Sequence, residues 1–100
     1  MTFQVAVAPE AAAEFAKLSA WWEQHRPESK LDLPRAFDEA LEFLASTPMA
    51  QPKWRFETRY LAYRFDHTPY FLLYRVDEEA REVFVVAAWS LQRGEAPPYR

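Results

Sequence analysis

The chain has no cysteine and a single glycine, Gly94. Without thiols there is no disulfide, no thiolate-bound zinc and no cysteine nucleophile, and a reducing, intracellular setting is the natural reading. With one glycine, neither a phosphate-cradling loop nor a dinucleotide fingerprint can be built, so no nucleotide cofactor is expected. Histidine is limited to His25 and His67. Neither sits near a serine in a recognisable nucleophile setting, and both read as helix-end or turn residues. The acidic set Asp38, Glu39 and Glu42 reads as a solvated helix face rather than a metal site. No segment approaches the roughly 18 continuous apolar residues that suggest a membrane span. Residues Met1 to Ala13 lack a basic stretch followed by a long apolar run. The expectation is a soluble, cytoplasmic protein with no membrane contact, no metal and no cofactor.

What is abundant is aromatic and apolar. Half of the 100 residues are hydrophobic and 17% are aromatic, enough to close one modest core, so residues 1–100 are read as one domain with a tail at 90–100. Net charge is −3, but it is divided unevenly. Residues 1–50 carry four basic and eight acidic side chains, whereas residues 51–100 carry eight basic and seven acidic, and seven of those eight are arginine. That composition favours planar, multidentate contacts over a long-range positive field, which argues against general nucleic-acid affinity.

Patterning gives the order of elements. Phe3, Val5 and Val7 alternate with Gln4 and Ala6 as a short strand. Pro9 suits the first turn of a helix, and Ala11, Phe15, Leu18 and Trp22 fall on one helical stripe, predicting a helix from about Pro9 to about His25. Arg26 and Pro27 break it. A second helix begins near Asp32, Leu33 and Pro34, buries Phe37, Ala40, Leu41 and Leu44, and ends at Ser46, Thr47 and Pro48, making an αα-hairpin with the first. From Trp54 to Phe65 the period is two, with a phase slip near Thr58 to Tyr60 that predicts a bulge at Arg59. Tyr70 to Val76 and Val83 to Trp89 complete the strands, the last apolar enough to be covered on both faces. The predicted architecture is α+β: a two-layer βααβββ sandwich with the helical hairpin on one face of a mainly antiparallel four-stranded sheet, and strand one beside strand four. The tail, with Pro97 and Pro98, reads as too short and proline-rich to add a core element.

This order resembles the RelE/ParE superfamily of bacterial toxin-antitoxin toxins, including plasmid-stabilisation proteins. The resemblance rests on the opening strand leading into Pro9 and Glu10, Trp21 and Trp22, the Arg26-Pro27 break, and Phe37 and Leu41 in helix two. It continues through Pro48, Arg59 before an apolar strand, the aromatic strand Tyr70 to Val76, and Val83 to Arg93. It covers about residues 3–93 and looks closer to the ParE-like branch. It implies a cognate antitoxin that wraps the toxin and, for ParE-like members, a protein target such as DNA gyrase. RelE-like members instead cut mRNA on the ribosome. Ser90 stands where many relatives carry histidine, and lysine and arginine are few for a protein that sits on ribosomal RNA; both departures cut against RNA cleavage. A third reading is a non-toxic interaction module derived from this fold.

Candidate site residues follow from cost: an arginine inside an apolar strand must reach solvent, a carboxylate or a phosphate. Arg59 and Arg93 match family positions and are expected either to ion-pair with a carboxylate such as Glu57 or Glu95 or to dock a partner. Arg64 and Arg75 are expected to face each other across neighbouring strands as a second site. Trp21 cannot share the buried stripe with Trp22, because adjacent helical residues point about 100° apart, and it reads either as cover for the helix–sheet seam or as a partner anchor. If the protein were a nuclease, Arg59, Arg93 and Tyr99 would be the catalytic candidates. Exposed aromatics would serve a homodimer or an antitoxin equally well.

Overall fold

The computed structural model describes residues 2–100; Met1 lies outside the described residues. The elements are β1 (Gln4–Val7), α1 (Pro9–His25), α2 (Leu33–Ser46), a 3-10 turn (Pro48–Ala50), β2 (Leu61–Arg64), β3 (Tyr70–Asp77) and β4 (Glu82–Ser90). Both helix starts follow from local chemistry. Proline occupies the first turn of each, and the Asp32 carboxylate accepts the Arg35 N–H at 3.2 Å, satisfying a donor that has no intrahelical partner. α1 stops where the Arg26 N–H turns back to the Trp22 carbonyl, because Pro27 has no N–H to extend the ladder.

The four strands form one sheet in the order β1-β4-β3-β2. β1 runs parallel to β4, while the β4–β3 and β3–β2 pairs are antiparallel. A parallel neighbour needs a long crossover, and the α1–α2 hairpin supplies it. The helices cover one face. Ala11, Phe15 and Leu18 of α1 and Ala40 and Leu44 of α2 pack on Leu72, Tyr74, Val83, Val85 and Ala88 of the sheet. Phe15 bridges the layers, its ring 4.4 Å from Phe37 and 5.4 Å from Phe65.

The opposite face is also buried, and by parts that look like neither strand nor helix. Trp54, Tyr60, Ala62, Leu73, Val86 and Ala87 form a second cluster, with Phe71, Phe84 and Tyr99 against it. Two expectations are corrected there. Residues 54–60 do not extend β2: the Trp54 N–H bonds the Tyr60 carbonyl at 2.7 Å, and internal turn bonds from Glu57 and Tyr60 close a compact loop that folds both rings onto the sheet. The tail is not excluded from the core. Pro97 is buried and Tyr99 stacks on Tyr60 with ring centroids 5.4 Å apart, so the tail completes the cover of the second face.

The irregularity in the sheet also lies elsewhere than at Arg59. Leu73 pairs with Ala87 and Tyr74 with Val85, which leaves Val86 as the extra residue of a bulge between β3 and β4. The bulge puts both Val86 and Ala87 into the second cluster. Among the described residues, no helix is long and apolar enough to cross a membrane.

Candidate functional site

The second face carries a groove of about 560 Å³ where the loop before β2 meets the tail after β4. Trp54 and Trp89 supply indole walls, Tyr99 closes one end, and Phe56, Leu91 and Arg93 stand at its rim. Each wall residue is fixed by the fold. Trp54 sits edge-on to Phe71 at 5.2 Å, and its Nε1 donates to the Tyr99 hydroxyl at 3.2 Å. Trp89 is held in β4 opposite Phe71. The rim, by contrast, leaves apolar surface in water: Phe56 is 62% exposed and Leu91 43%.

Arginine decorates this groove in a particular way. The Arg93 guanidinium lies over the Trp89 ring, 4.7 Å from its centroid, and Arg55 lies over Phe56 at the same 4.7 Å. Stacking uses the flat face of the guanidinium and leaves its N–H edge available, so the charge is held in place without being neutralised. Among the described residues neither Arg93 nor Arg55 forms an ion pair.

Arg59 is different. Its guanidinium meets Glu57 at 3.2–3.3 Å, and its backbone N–H donates to the same carboxylate. Arg59 therefore holds the Glu57 carboxyl below the usual carboxylate range, through the side-chain hydrogen bond first and the backbone bond second. Glu57 in turn raises the Arg59 guanidinium. The residue is exposed on the loop and stacks over Tyr60 at 5.5 Å.

Arg64 and Arg75 do not face each other. Arg64 pairs with Phe71 at the end of β2 and its Nε donates to the Thr68 carbonyl at 3.1 Å, while Arg75 pairs with Phe84 across β3–β4 and lies 4.6 Å over that ring. The turn between β2 and β3 offsets the two strands, so like charges never become neighbours. Trp21 is 42% exposed, stacked flat on His25 at 4.3 Å, and shares a hollow with Arg93. The structure thus brings Arg93 together with Tyr99 on one side and Trp21 on the other. Arg59, Arg64 and Arg75 are each engaged with their own strand or loop.

Arg55, Phe56 and Leu91 are groove residues that patterning missed. Arg55 and Phe56 look like continuing strand, and Leu91 like its fading end; only their exposure marks them. Arg100 and Glu14 were missed as well. Glu14 accepts two hydrogen bonds from Arg100 at 3.2 and 3.0 Å, and another at 3.3 Å from the Ala88 N–H, on the edge of β4 beyond the end of β1. The Arg100 Nη1 also donates to the Val86 carbonyl at 2.6 Å. Its guanidinium is raised, mainly by the bond to Glu14. No group of three or more histidine or acidic side chains that could hold a metal ion occurs among the described residues.

A helical hairpin laid on a mixed four-stranded sheet with this strand order is the architecture of RelE/ParE-type toxins. The chain is similar to a chain of the chromosomal ParDE toxin-antitoxin system from P. aeruginosa, with a TM-score of 0.71 at 13% identity over 90% of this chain and 97% of that one. It is similar to a chain of the RelBE2 toxin-antitoxin complex from Mycobacterium tuberculosis, with a TM-score of 0.60 at 23% identity over 90% and 99%. The isolated RelE toxin of E. coli gives 0.60 at 20% identity over 93% and 88%. At these identities the likeness establishes the fold. Residues 5–93 match the ParE toxin of the type II toxin-antitoxin system, parDE, and the chain belongs to that family. No curated protein matches it.

Proposed function

We propose that this toxin acts by binding a protein target, DNA gyrase being the target the ParE branch suggests, and that a cognate antitoxin silences it. The observation that carries this reading is the rim of the groove. Exposed Phe56 and Leu91 flank guanidiniums parked on Phe56 and Trp89. Solvent-exposed aromatics beside arginines with free N–H edges are the chemistry of protein-binding hot spots. The mechanism is non-covalent: apolar anchors bury on contact, and Arg93 and Arg55 orient the complex through hydrogen bonds.

One observation favours the RNA-cleaving alternative. Arg93 and Tyr99 line the same groove, so a phosphate-binding cation and a phenol are neighbours there. The Tyr99 hydroxyl already accepts from Trp54, however, and Arg59, the third candidate, is occupied by Glu57. Expression in bacteria with a growth readout, followed by gyrase supercoiling and ribosome-bound mRNA cleavage assays, separates the readings. Arrest with inhibited supercoiling is the expected result, lost in Arg93→Ala and in Phe56→Asp and largely kept in Arg59→Ala. Arrest with mRNA cleavage and intact supercoiling would establish the alternative. No arrest at all would leave an interaction module.

A further inference from the structure

Arg93 stands on a ridge between two concavities, and the second one is unused by the function proposed above. It is a hollow of about 350 Å³ between α1 and the turn after β4, with Lys17, Trp21, Tyr70, Ser90, Gln92 and Arg93 around it. Its lining contains two cations and no acidic side chain. In a chain that carries more acid than base, this is an unusual concentration of uncompensated positive charge. Among the described residues Lys17 and Arg93 lack a carboxylate partner, so neither charge is internally satisfied. Trp21 contributes an exposed indole, pinned flat against His25, whose Nδ1 lies 2.9 Å from the Trp21 carbonyl. The wall is therefore preorganised rather than free to collapse.

We propose that this hollow docks a carboxylate-bearing segment of the cognate antitoxin, an acidic side chain meeting Lys17 and Arg93 while an apolar neighbour covers Trp21. The proposal rests on the toxin-antitoxin reading and adds to it the place and the chemistry of the contact. Two features select a single carboxylate with an apolar neighbour. The floor is Ser90, a short buried side chain whose Oγ is occupied by the Gln92 N–H at 3.2 Å, so the space above it stays open. The helix that supplies Lys17 also carries Glu10, Glu14 and Glu23. Of these, Glu10 and Glu14 are paired with Arg100, and the hollow itself offers two cations, enough for one carboxylate but not for the run of charges on a polyphosphate backbone. Burying one charge between two donors suits a protein anchor, because charge-assisted bonds in a partly desolvated hollow exceed those on an open surface.

The test uses the full chain and the purified antitoxin encoded beside it. Affinity is measured for wild type, Lys17→Glu, Trp21→Ala and, as a charge-matched control away from the hollow, Arg35→Glu; helical circular dichroism confirms that each is folded. The proposal expects Lys17→Glu and Trp21→Ala each to weaken binding at least about tenfold, Arg35→Glu to change it less than about threefold, and the Trp21 indole to lose access to a soluble quencher in the complex. A Lys17→Glu affinity equal to that of Arg35→Glu, or unchanged Trp21 quenching on complex formation, would overturn it. So would a single-stranded RNA oligonucleotide competing with the antitoxin in a Lys17-dependent way, which would assign the hollow to phosphate. Growth arrest by wild type is scored in parallel. Arrest with a Lys17-independent complex rejects the hollow and keeps the toxin; absence of both arrest and complex rejects the toxin reading and the hollow with it.

Discussion

Arg100 reaches back to Glu14 and holds its carboxylate by two hydrogen bonds of 3.2 and 3.0 Å while donating to the Val86 carbonyl at 2.6 Å. The pair does for the edge of β4 what another strand would do, offering an N–H to Val86 and an acceptor to the Ala88 N–H. Arg100→Ala removes the donor to Val86, leaves the Glu14 carboxylate without its cation and frees the tail that carries Tyr99. We expect it to cost about 1–2 kcal/mol in chemical denaturation, the range for losing a charge-assisted bond and orphaning a carbonyl. Fluorescence of the second-face tryptophans should shift with it. A denaturation midpoint equal to wild type would show that the clamp is ornamental.

Alkaline pH should destabilise the fold through tyrosine. Burial raises Tyr74 well above the ordinary value of 10.0, and Tyr63 and Tyr70 are raised by burial as well, Tyr63 further by Asp66 and Glu39. In each case the folded state keeps a proton that the unfolded chain releases. The contribution is therefore complete below about pH 10 and falls as pH rises toward the folded values, by up to about 1.4 kcal/mol per pH unit for each group. Tyr74 contributes most, because it is the most deeply buried of the three; its hydroxyl donates to the Pro48 carbonyl at 2.5 Å. Phenolate absorbance should show a late, cooperative phase that coincides with loss of circular dichroism. Tyr74→Phe should flatten the stability–pH slope while costing about 1 kcal/mol at neutral pH.

With its one glycine spent in the tail, the chain turns its β2–β3 corner on His67, which adopts a φ of 65°. A left-handed conformation costs a residue with a Cβ roughly 1–2 kcal/mol, partly offset by the greater freedom glycine has when unfolded. His67→Gly should therefore stabilise the protein by about 0.5–1 kcal/mol, read as a raised melting temperature with unchanged growth arrest. A lowered melting temperature would mean that the imidazole makes a contribution its exposed position does not reveal.

The two faces of the sheet should respond differently to cavities. Leu44 is fully buried between helix and sheet, and Leu44→Ala should cost about 2–5 kcal/mol. Leu73→Ala, equally buried but beneath the loop and tail, should cost less because its cover can settle, and should also loosen Trp54 and weaken toxicity. Equal losses from the two variants, measured by urea denaturation, would mean that the second face is as rigid as the first.

The frame was legible because its signals are local. Pro9, Pro34 and Asp32 mark helix starts, the Arg26-Pro27 break marks an end, and the unbroken apolar run of β4 announces burial on both faces. What covers the second face was not legible. Trp54, Phe56 and Tyr60 alternate as a strand would, and the single bond from the Trp54 N–H to the Tyr60 carbonyl that makes them a loop leaves no periodic trace. Tyr99 and Arg100 follow two prolines and gain meaning only from Trp54, Tyr60 and Glu14, far away in the chain. Arg64 and Arg75 looked like opposing charges because their register depends on the length of the turn between them, which spacing does not fix. Arg93 was singled out because it follows the last strand at a family position, and its place between two concavities emerged only from the folded chain.

The parallel ladder between β1 and β4 has one more consequence. Gln4 to Val7 find their partners only at Glu82 to Val85, so about 80 residues must leave the ribosome before the first strand has anything to pair with; at usual synthesis speeds that takes roughly 4–16 seconds. Until then the nascent chain is a helical hairpin without a platform, and neither concavity flanking Arg93 exists. The surfaces on either side of Arg93 therefore exist only once β4 has been made, and a partner that recognises them has nothing to grip before then.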